Sequence, residues 1–383
     1  MSIKIIEGGV CSPKGFLANG TTPGKEDGST APKLALIYSK KLSNAAAILT
    51  SNKIKSDSLI LTKKNIENGR AQAILLNEDS ANACATGGYE AACKVASALG
   101  GALKISAKNV MISSSGDIGT PMDSAAISDA ATALAGGLKV LSYGEGDKSS
   151  KACAVSFEID GKLCHIGGFA AGKSETIALI TTDCAISSEM LSLALSADVQ
   201  NTLDLVSFDG RSTPADAALA LANGMAKNKE ITKRGKDFAE FAKALNALNL
   251  ILARKIAADK ASGDKLIECS VTGAKNEAAA KAIARSVVSS PAVRADVHSS
   301  TPAWGHIISA IGAAGVELNP LKIDISLISD SGEIPVCSKG VEVNFSCDFA
   351  KEILSESEIT IALKLGDGVG EATAWGSDKS CNL

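Results

Sequence analysis

This sequence contains few aromatic residues, and its net charge is close to zero. Phe, Trp and Tyr together make up 3% of the 383 residues, and the formal net charge is −3. With so few rings, the core must be built from Ala, Val, Ile and Leu. A nucleic-acid-binding protein usually carries a basic patch or stripe, and a charge near zero argues against one. We therefore expect no nucleic-acid partner.

Long apolar runs are also missing. No segment approaches the roughly 18 consecutive apolar residues of a membrane-spanning helix. The N-terminus lacks the basic-then-apolar pattern of a secretory signal. Hydrophobic residues make up 45% and charged residues 21% of the chain, values typical of globular proteins. The sequence predicts a cytoplasmic protein with no membrane partner.

Metal-binding and cofactor-binding motifs are absent from the sequence. The ten cysteines include no Cys-x-x-Cys pair, and the three histidines, His165, His298 and His306, do not combine with them at zinc spacing. The cysteines are best interpreted as reduced thiols packed as small apolar side chains. Neither a Rossmann nor a Walker fingerprint occurs. We expect no metal and no cofactor.

Strand-like and helix-like segments alternate along the chain. Predicted strands include residues 34–39, 45–52, 266–274 and 359–366, and residues 205–212 predict a strand followed by a turn. Predicted helices are Ala-rich or Leu-rich: residues 88–99, 123–138, 187–195, 215–225, 238–258, 277–288, 304–315 and 349–355. The Asp160-Gly161 pair indicates a hairpin. This alternation predicts an α/β fold, or an α+β layered sandwich.

The stretch from Cys164 to Cys184 combines glycines with a β-branched apolar run. Residues 177–180 predict a buried strand, and Thr-Thr-Asp closes it. Thr176 stands where the preceding loop enters this strand, a position at which a threonine can act as a nucleophile. The alternative is an ordinary core strand after a glycine turn, and the local pattern leaves both open.

Three short constellations could carry chemistry. Ser113 to Gly116 follows a predicted strand, and its hydroxyl and N–H groups could form an oxyanion hole or an ordinary loop. Cleavage between Glu175 and Thr176 would expose an α-amino group able to act as the base for the Thr176 hydroxyl. Asp209-Gly210-Arg211-Ser212 is typical of a charged turn.

Taken in order, these landmarks resemble the ornithine acetyltransferase family, the bifunctional glutamate N-acetyltransferases of arginine biosynthesis. The resemblance runs nearly end to end. Its motifs are GGV and PKGF near the N-terminus, then LALIYS, AAAILTSNK, NEDSANAC, SSSGDIG, IDGK, ITTDC, SFDGRSTPAD, SSPAVRAD, PAWGHIISAIGAAG and GEATAWGSD. No single motif decides the matter, but the ordered set is specific.

The resemblance implies a fold, a maturation step and a reaction. The fold is the αββα type shared with self-processing aminopeptidases of the N-terminal-nucleophile kind. The precursor cleaves itself before a threonine, which here would give residues 1–175, carrying the oxyanion loop, and residues 176–383, with room for a smaller C-terminal subdomain. Acetyl then passes from N-acetylornithine to the threonine and on to glutamate. A small amino-acid-type ligand and a homo-oligomer are expected.

Carried over residue by residue, the resemblance implies Thr176 as nucleophile, Ser115 and Gly116 as the oxyanion pair, and Lys173 near the substrate. The chain also departs from the family pattern. Glu175 replaces the alanine of the cleaved Ala-Thr bond, Thr176 lies one residue nearer to Thr-Thr-Asp, and Ala171 stands at the family's lysine. A one-residue shift turns a strand side chain to the opposite face.

These departures leave three hypotheses. The chain is a divergent acetyltransferase homologue, an uncleaved and catalytically inactive paralogue with a binding or assembly role, or an enzyme acting on another small amide through Ser115 or Thr176. The first predicts cleavage before Thr176, and the second predicts an intact chain with self-contacts.

Overall fold

Two compact units make up the part of the chain that the structure describes. This computed structural model describes residues 3–21, 33–141, 151–171, 175–258 and 265–378. The first unit consists of Met1–Val199 and Ser212–Leu252, and the second of Gln200–Arg211 and Ala253–Leu383. The predicted division at 175/176 concerns fragments of a self-cleaving chain and stays a prediction.

A nine-stranded mixed sheet forms the frame of the first unit. Its strands are β1 (Lys4–Ile6), β2 (Phe16–Gly20), β3 (Leu34–Leu49), β4 (Arg70–Asn77), β5 (Val110–Ser114), β6 (Ala152–Ile159), β7 (Lys162–Ala171), β8 (Ile177–Thr182) and β9 (Ala217–Ala222). Their order is β1-β6-β7-β8-β9-β3-β4-β5, with β2 also paired to β3. The buried strand predicted over 177–180 is therefore confirmed as β8, near the middle of the sheet.

The helices of this unit are α1 (Asp57–Asn65), α2 (Gly88–Leu103), α3 (Ser124–Gly136), α4 (Ser188–Val199) and α5 (Lys236–Ala257), which continues into the second unit. Asp123 caps α3, since its carboxylate accepts hydrogen bonds from the N–H groups of Ala125 and Ala126. Helices α2 and α3 share one apolar cluster with Leu75 and Ile112 of the sheet. This packing fixes the end of β5, where the Ser-Gly loop (Ser115 and Gly116) begins.

The predicted hairpin is confirmed between β6 and β7. Ile159 pairs with Lys162, and the two residues between them, Asp160 and Gly161, have φ values of 51° and 67°. Both values lie in the left-handed region that a two-residue turn of this kind requires, which explains the Asp-Gly dipeptide.

Two predictions for the first unit differ from the structure. Residues 215–225 were expected to form a helix because they are rich in Ala, but Ala217–Ala222 is strand β9, buried throughout and paired with β8 and β3. Burial between two neighbouring strands outweighs the helix propensity of alanine. Residues 34–39 and 45–52 were expected to form two strands. Residues 34–39 and 45–49 belong to the single strand β3, whose pairing with β4 shifts register between Tyr38 and Ser43, and residues 50–52 lie beyond its end.

A six-stranded sheet forms the frame of the second unit. Its strands are β10 (Leu266–Ala274), β11 (Asp324–Ser329), β12 (Gly332–Ser338), β13 (Val341–Glu342), β14 (Glu358–Lys364) and β15 (Gly370–Ser377), in the order β13-β12-β11-β14-β10-β15. Its helices are α6 (Glu277–Ser289), α7 (Pro291–His298), α8 (Trp304–Gly312) and α9 (Cys347–Ser355). The strand expected at the start of residues 205–212 is wrong, because only Val206 forms a bridge there, to Trp375.

Both units are mixed sheets with packed helices, so the predicted α/β class is confirmed. No helix within the described ranges is long and apolar enough to cross a membrane. The nine cysteines in those ranges are free thiols, as expected, and Cys381 lies outside them.

Candidate functional site

The Ser-Gly loop after β5 presents two hydrogen-bond donors, the Ser115 hydroxyl and the Gly116 N–H. The Ser115 N–H is bonded to the Asn77 carbonyl at the end of β4, 2.8 Å away. Gly116 has a φ of +127°, and a Cβ there would lie 3.0 Å from backbone atoms of Asp79 and Ser80. Only glycine fits this conformation and this close approach. The two donors are therefore held in place by backbone on both sides.

The side chain of Glu175, just before β8, accepts hydrogen bonds from both of these donors. The Ser115 hydroxyl donates to Oε2 of Glu175 at 3.0 Å, and the Gly116 N–H donates to Oε1 at 3.3 Å. Glu175 is 6% exposed and Ser115 3%. The predicted oxyanion pair thus exists as a pair of donors, and each donor is bonded to a different oxygen of the Glu175 carboxylate.

Thr176 is fixed through its backbone. Its N–H donates to Oδ1 of Asp216 at 2.8 Å, and its carbonyl accepts from the Ala217 N–H at 3.0 Å. Its side chain is half-buried, and within the described ranges no hydrogen bond to its hydroxyl is present. The structure places Thr176 beside Glu175, but the group facing Ser115 and Gly116 is the Glu175 side chain.

Asp216, the residue before β9, accepts a hydrogen bond from the backbone just before β8. Besides the Thr176 N–H, its carboxylate accepts hydrogen bonds from the Thr213 hydroxyl and the Thr213 N–H, both at 2.7 Å. Burial raises the pKa of Asp216 above its ordinary value, and the charge of Glu175 raises it further, while these hydrogen bonds oppose the rise. Two acidic side chains therefore flank the Glu175–Thr176 peptide bond.

A second buried acid, Asp183, lies just past the other end of β8. Its Oδ1 accepts from the His165 N–H at 2.7 Å, and its Oδ2 accepts from the Lys14 N–H at 3.0 Å. The His165 ring nitrogen Nδ1 lies 3.1 Å from Oδ2. The Asp183 side chain is fully buried. This acid joins the N-terminal loop to β7.

The remaining predicted positions are less informative. Lys173 lies outside the described residues. Asp209 to Ser212 forms the expected turn, with the Arg211 N–H bonded to the Asp209 carboxylate at 2.9 Å. His306 of α8 pairs with Asp296 of α7, with Nδ1 and Oδ2 2.6 Å apart. Across the described ranges, no group of three or more His, Cys, Asp or Glu side chains could hold a metal ion.

Sequence reasoning missed Glu175 as a site residue. In the sequence it stands out only as the residue before the candidate nucleophile. A signal was present, however. Thr176 lies one residue too near to Thr181-Thr182-Asp183, so counting back by the family's spacing reaches Glu175.

Comparison with known proteins gives one consistent result. The model of the ArgJ family matches residues 18–382. The arginine biosynthesis bifunctional protein ArgJ of Caldanaerobacter subterraneus subsp. tengcongensis is 36% identical over 394 residues, covering 99% of this chain and 97% of the relative. ArgJ 1 of Clostridium acetobutylicum is 34% identical over 382 residues, covering 95% and 92%. The crystal structure of the Bacillus halodurans ArgJ protein matches with a TM-score of 0.50 and 34% identity, covering 53% of this chain and 94% of that one.

Proposed function

The chain belongs to the ArgJ family, and from that premise we propose that it is a divergent, uncleaved member that binds a small amino-acid-type ligand without transferring acetyl through Thr176. The observation that supports this proposal is the place of Glu175. By the family's spacing it stands at the position of the nucleophilic threonine, and its carboxylate is bonded to Ser115 and Gly116.

Self-cleavage needs a hydroxyl that attacks the preceding carbonyl and donors that stabilise the oxyanion formed. At the family's position this chain has a carboxylate in place of the hydroxyl. Thr176 has a hydroxyl, but the donors beside it are bonded to the Glu175 side chain. An oxyanion developing at the Glu175 carbonyl would have to compete with that carboxylate for the same two groups.

The first experiment is the intact mass of the purified chain under denaturing conditions, together with an assay of acetyl transfer from N-acetylornithine to glutamate. We expect a single species of 38.9 kDa and no transfer above background. Two fragments that meet at Glu175 and Thr176, or measurable transfer, would refute the proposal.

A sharper experiment uses Glu175→Ala, which restores the family's Ala-Thr dipeptide and frees the donor pair. We expect this variant to remain intact, because Thr176 is still one residue out of position. Thr176→Val is the matched control, since it keeps the side-chain shape but removes the hydroxyl. Cleavage of Glu175→Ala, abolished by adding Thr176→Val, would instead identify Thr176 as a latent nucleophile held inactive by Glu175.

The second candidate function is acetyl transfer through Thr176, as in the reaction implied by the family. The presence of Ser115 and Gly116, and the lack of a hydrogen bond to the Thr176 hydroxyl within the described ranges, favour it. If this candidate is correct, the wild-type chain shows both cleavage and transfer, and Thr176→Val abolishes both. The mass measurement therefore separates the two candidates.

Location and assembly remain expectations from the sequence, and we include them in the proposal as a cytoplasmic homo-oligomer. Symmetric self-association is the common state of such proteins. Light scattering after size-exclusion chromatography measures the mass of the assembly directly. A mass equal to that of one chain would remove the oligomer from the proposal.

A further inference from the structure

The two donors at Ser115 and Gly116 are bonded to two different oxygens. Oε2 of Glu175 accepts from the Ser115 hydroxyl, and Oε1 accepts from the Gly116 N–H. An acyl carbonyl offers one oxygen, so it would have to share both donors. A carboxylate offers two oxygens in one plane and can bond each donor separately. In this structure the two donors bind the two oxygens of one carboxylate.

The donors are also rigid. A Cβ added at Gly116 would lie 3.0 Å from the backbone of Asp79 and Ser80, and the backbone N–H of Ser115 is bonded to the Asn77 carbonyl at 2.8 Å. Ser115 is 3% exposed, so little water reaches its hydroxyl. Removing the Glu175 carboxylate would leave the buried Ser115 hydroxyl and the half-buried Gly116 N–H without that acceptor, which favours their binding another anion of the same shape.

The chemistry of the two donors favours a charged occupant. Hydrogen bonds to an ionised acceptor are roughly twice as strong as neutral ones. A neutral amide in the same place would gain less from the two donors.

We propose that Ser115 and Gly116 form a carboxylate-binding site, and that Glu175 is its resident ligand. When the Glu175 side chain is removed, the site binds free monocarboxylates of the acetate and amino-acid class. This inference rests on the proposed function, because a site of this kind is free to bind a carboxylate only if it is not engaged in acyl transfer. In the wild-type chain, Glu175 competes with free carboxylates for the two donors, and it does so at the high effective concentration of a group on the same chain.

The test uses Glu175→Ala combined with Thr176→Val, so that self-cleavage cannot occur. Thermal unfolding is measured in sodium acetate, in acetamide, and in sodium chloride at matched ionic strength. We expect acetate to raise Tm progressively, since the ratio of folded to unfolded chain increases with ligand concentration and is about elevenfold higher at about ten times Kd. Acetamide has the same shape without the charge, and it should produce no comparable rise.

Two further variants locate the effect. Adding Ser115→Ala should abolish the rise in Tm, because one donor is lost. Glu175→Gln should not respond to acetate, because the Gln side chain still fills the site. If Glu175→Ala folds poorly, its refolding yield in acetate against acetamide gives the same answer.

An equal response to acetamide and acetate would overturn the proposal, since the pair would then recognise a carbonyl. No response to acetate above that to chloride would also overturn it. Neither result depends on cleavage or acetyl transfer, so this inference and the proposed function can fail separately.

Discussion

Strand β8 has a buried acid next to each of its ends, and the two acids have different kinds of partner. Asp183, after the last residue, binds the N–H groups of Lys14 and His165, and Lys14 is 169 residues away in the sequence. Glu175, before the first residue, binds the Ser115 hydroxyl and the Gly116 N–H. Asp183 connects parts of the fold. Glu175 bonds to donors that the family resemblance assigns to chemistry.

The difference shows that burial and hydrogen bonding do not by themselves separate a structural acid from a site acid. The donors of Asp183 come from segments that the fold must hold together. Those of Glu175 belong to one rigid loop that keeps its shape through its own backbone contacts. Removing Asp183 should therefore damage the fold more than any change at the other end of β8.

The largest expected effect is that of Asp183→Ala. It removes the fully buried carboxylate that accepts from the N–H groups of Lys14 and His165, and a donor left unsatisfied costs about 1–3 kcal/mol, so we expect the free energy of unfolding to fall by about 3–5 kcal/mol. Urea titration measures the loss. Asp183→Asn is the control, because it keeps one acceptor oxygen and should lose less. A loss under about 1 kcal/mol for Asp183→Ala would contradict its structural role.

The next effect concerns the rigidity of the donor loop. Gly116→Ala combines a positive φ with a Cβ 3.0 Å from the backbone of Asp79, and we expect it to cost about 2–3 kcal/mol. The matched control is Gly119→Ala, where φ is +84° and no atom lies within 4 Å of the added Cβ. The control should cost about 1 kcal/mol. Equal losses in the two variants would mean that the backbone near Asp79 yields and the loop is not rigid.

The smallest effect concerns the electrostatics at the start of β8. Because the folded-state pKa of Asp216 is raised, the folded chain holds that proton more tightly than the unfolded chain. The free energy of unfolding of the wild type should therefore fall, relative to that of Asp216→Asn, as the pH rises from the ordinary Asp pKa through the raised one. Parallel urea titrations across this range measure the difference. A difference that is constant with pH, or that grows in favour of the wild type, would contradict the raised pKa.

Local sequence rules predicted those parts of the fold that local interactions decide. The Asp160-Gly161 turn has positive φ at both residues. Asp-Gly is a dipeptide that adopts this conformation readily, so the turn is visible in the sequence itself. Strand β9 was mistaken for a helix because its alanines carry no sign of the strands on either side. Burial between β8 and β3 is a property of the assembled sheet, and no window of residues contains it.

The site was half predictable for the same reason. Ser115 and Gly116 stand together in the sequence, so their shared role as donors could be inferred from the loop alone. Their partner Glu175 is 60 residues away from Ser115, and only the folded chain brings the three groups together. The resemblance supplied a count from Thr-Thr-Asp that pointed to Glu175, although it was used only to question Thr176.

The length and central place of β3 have a consequence for synthesis of the protein. Strand β3 ends at Leu49, whereas its partner β9 begins at Ala217. About 170 residues must be translated between them, which takes a ribosome roughly 10 to 30 s at ordinary rates. Throughout that interval the second half of β3 is an unpaired apolar edge on a nascent chain, a form prone to aggregation. Efficient production of this protein should therefore depend on chaperones that shield emerging chains.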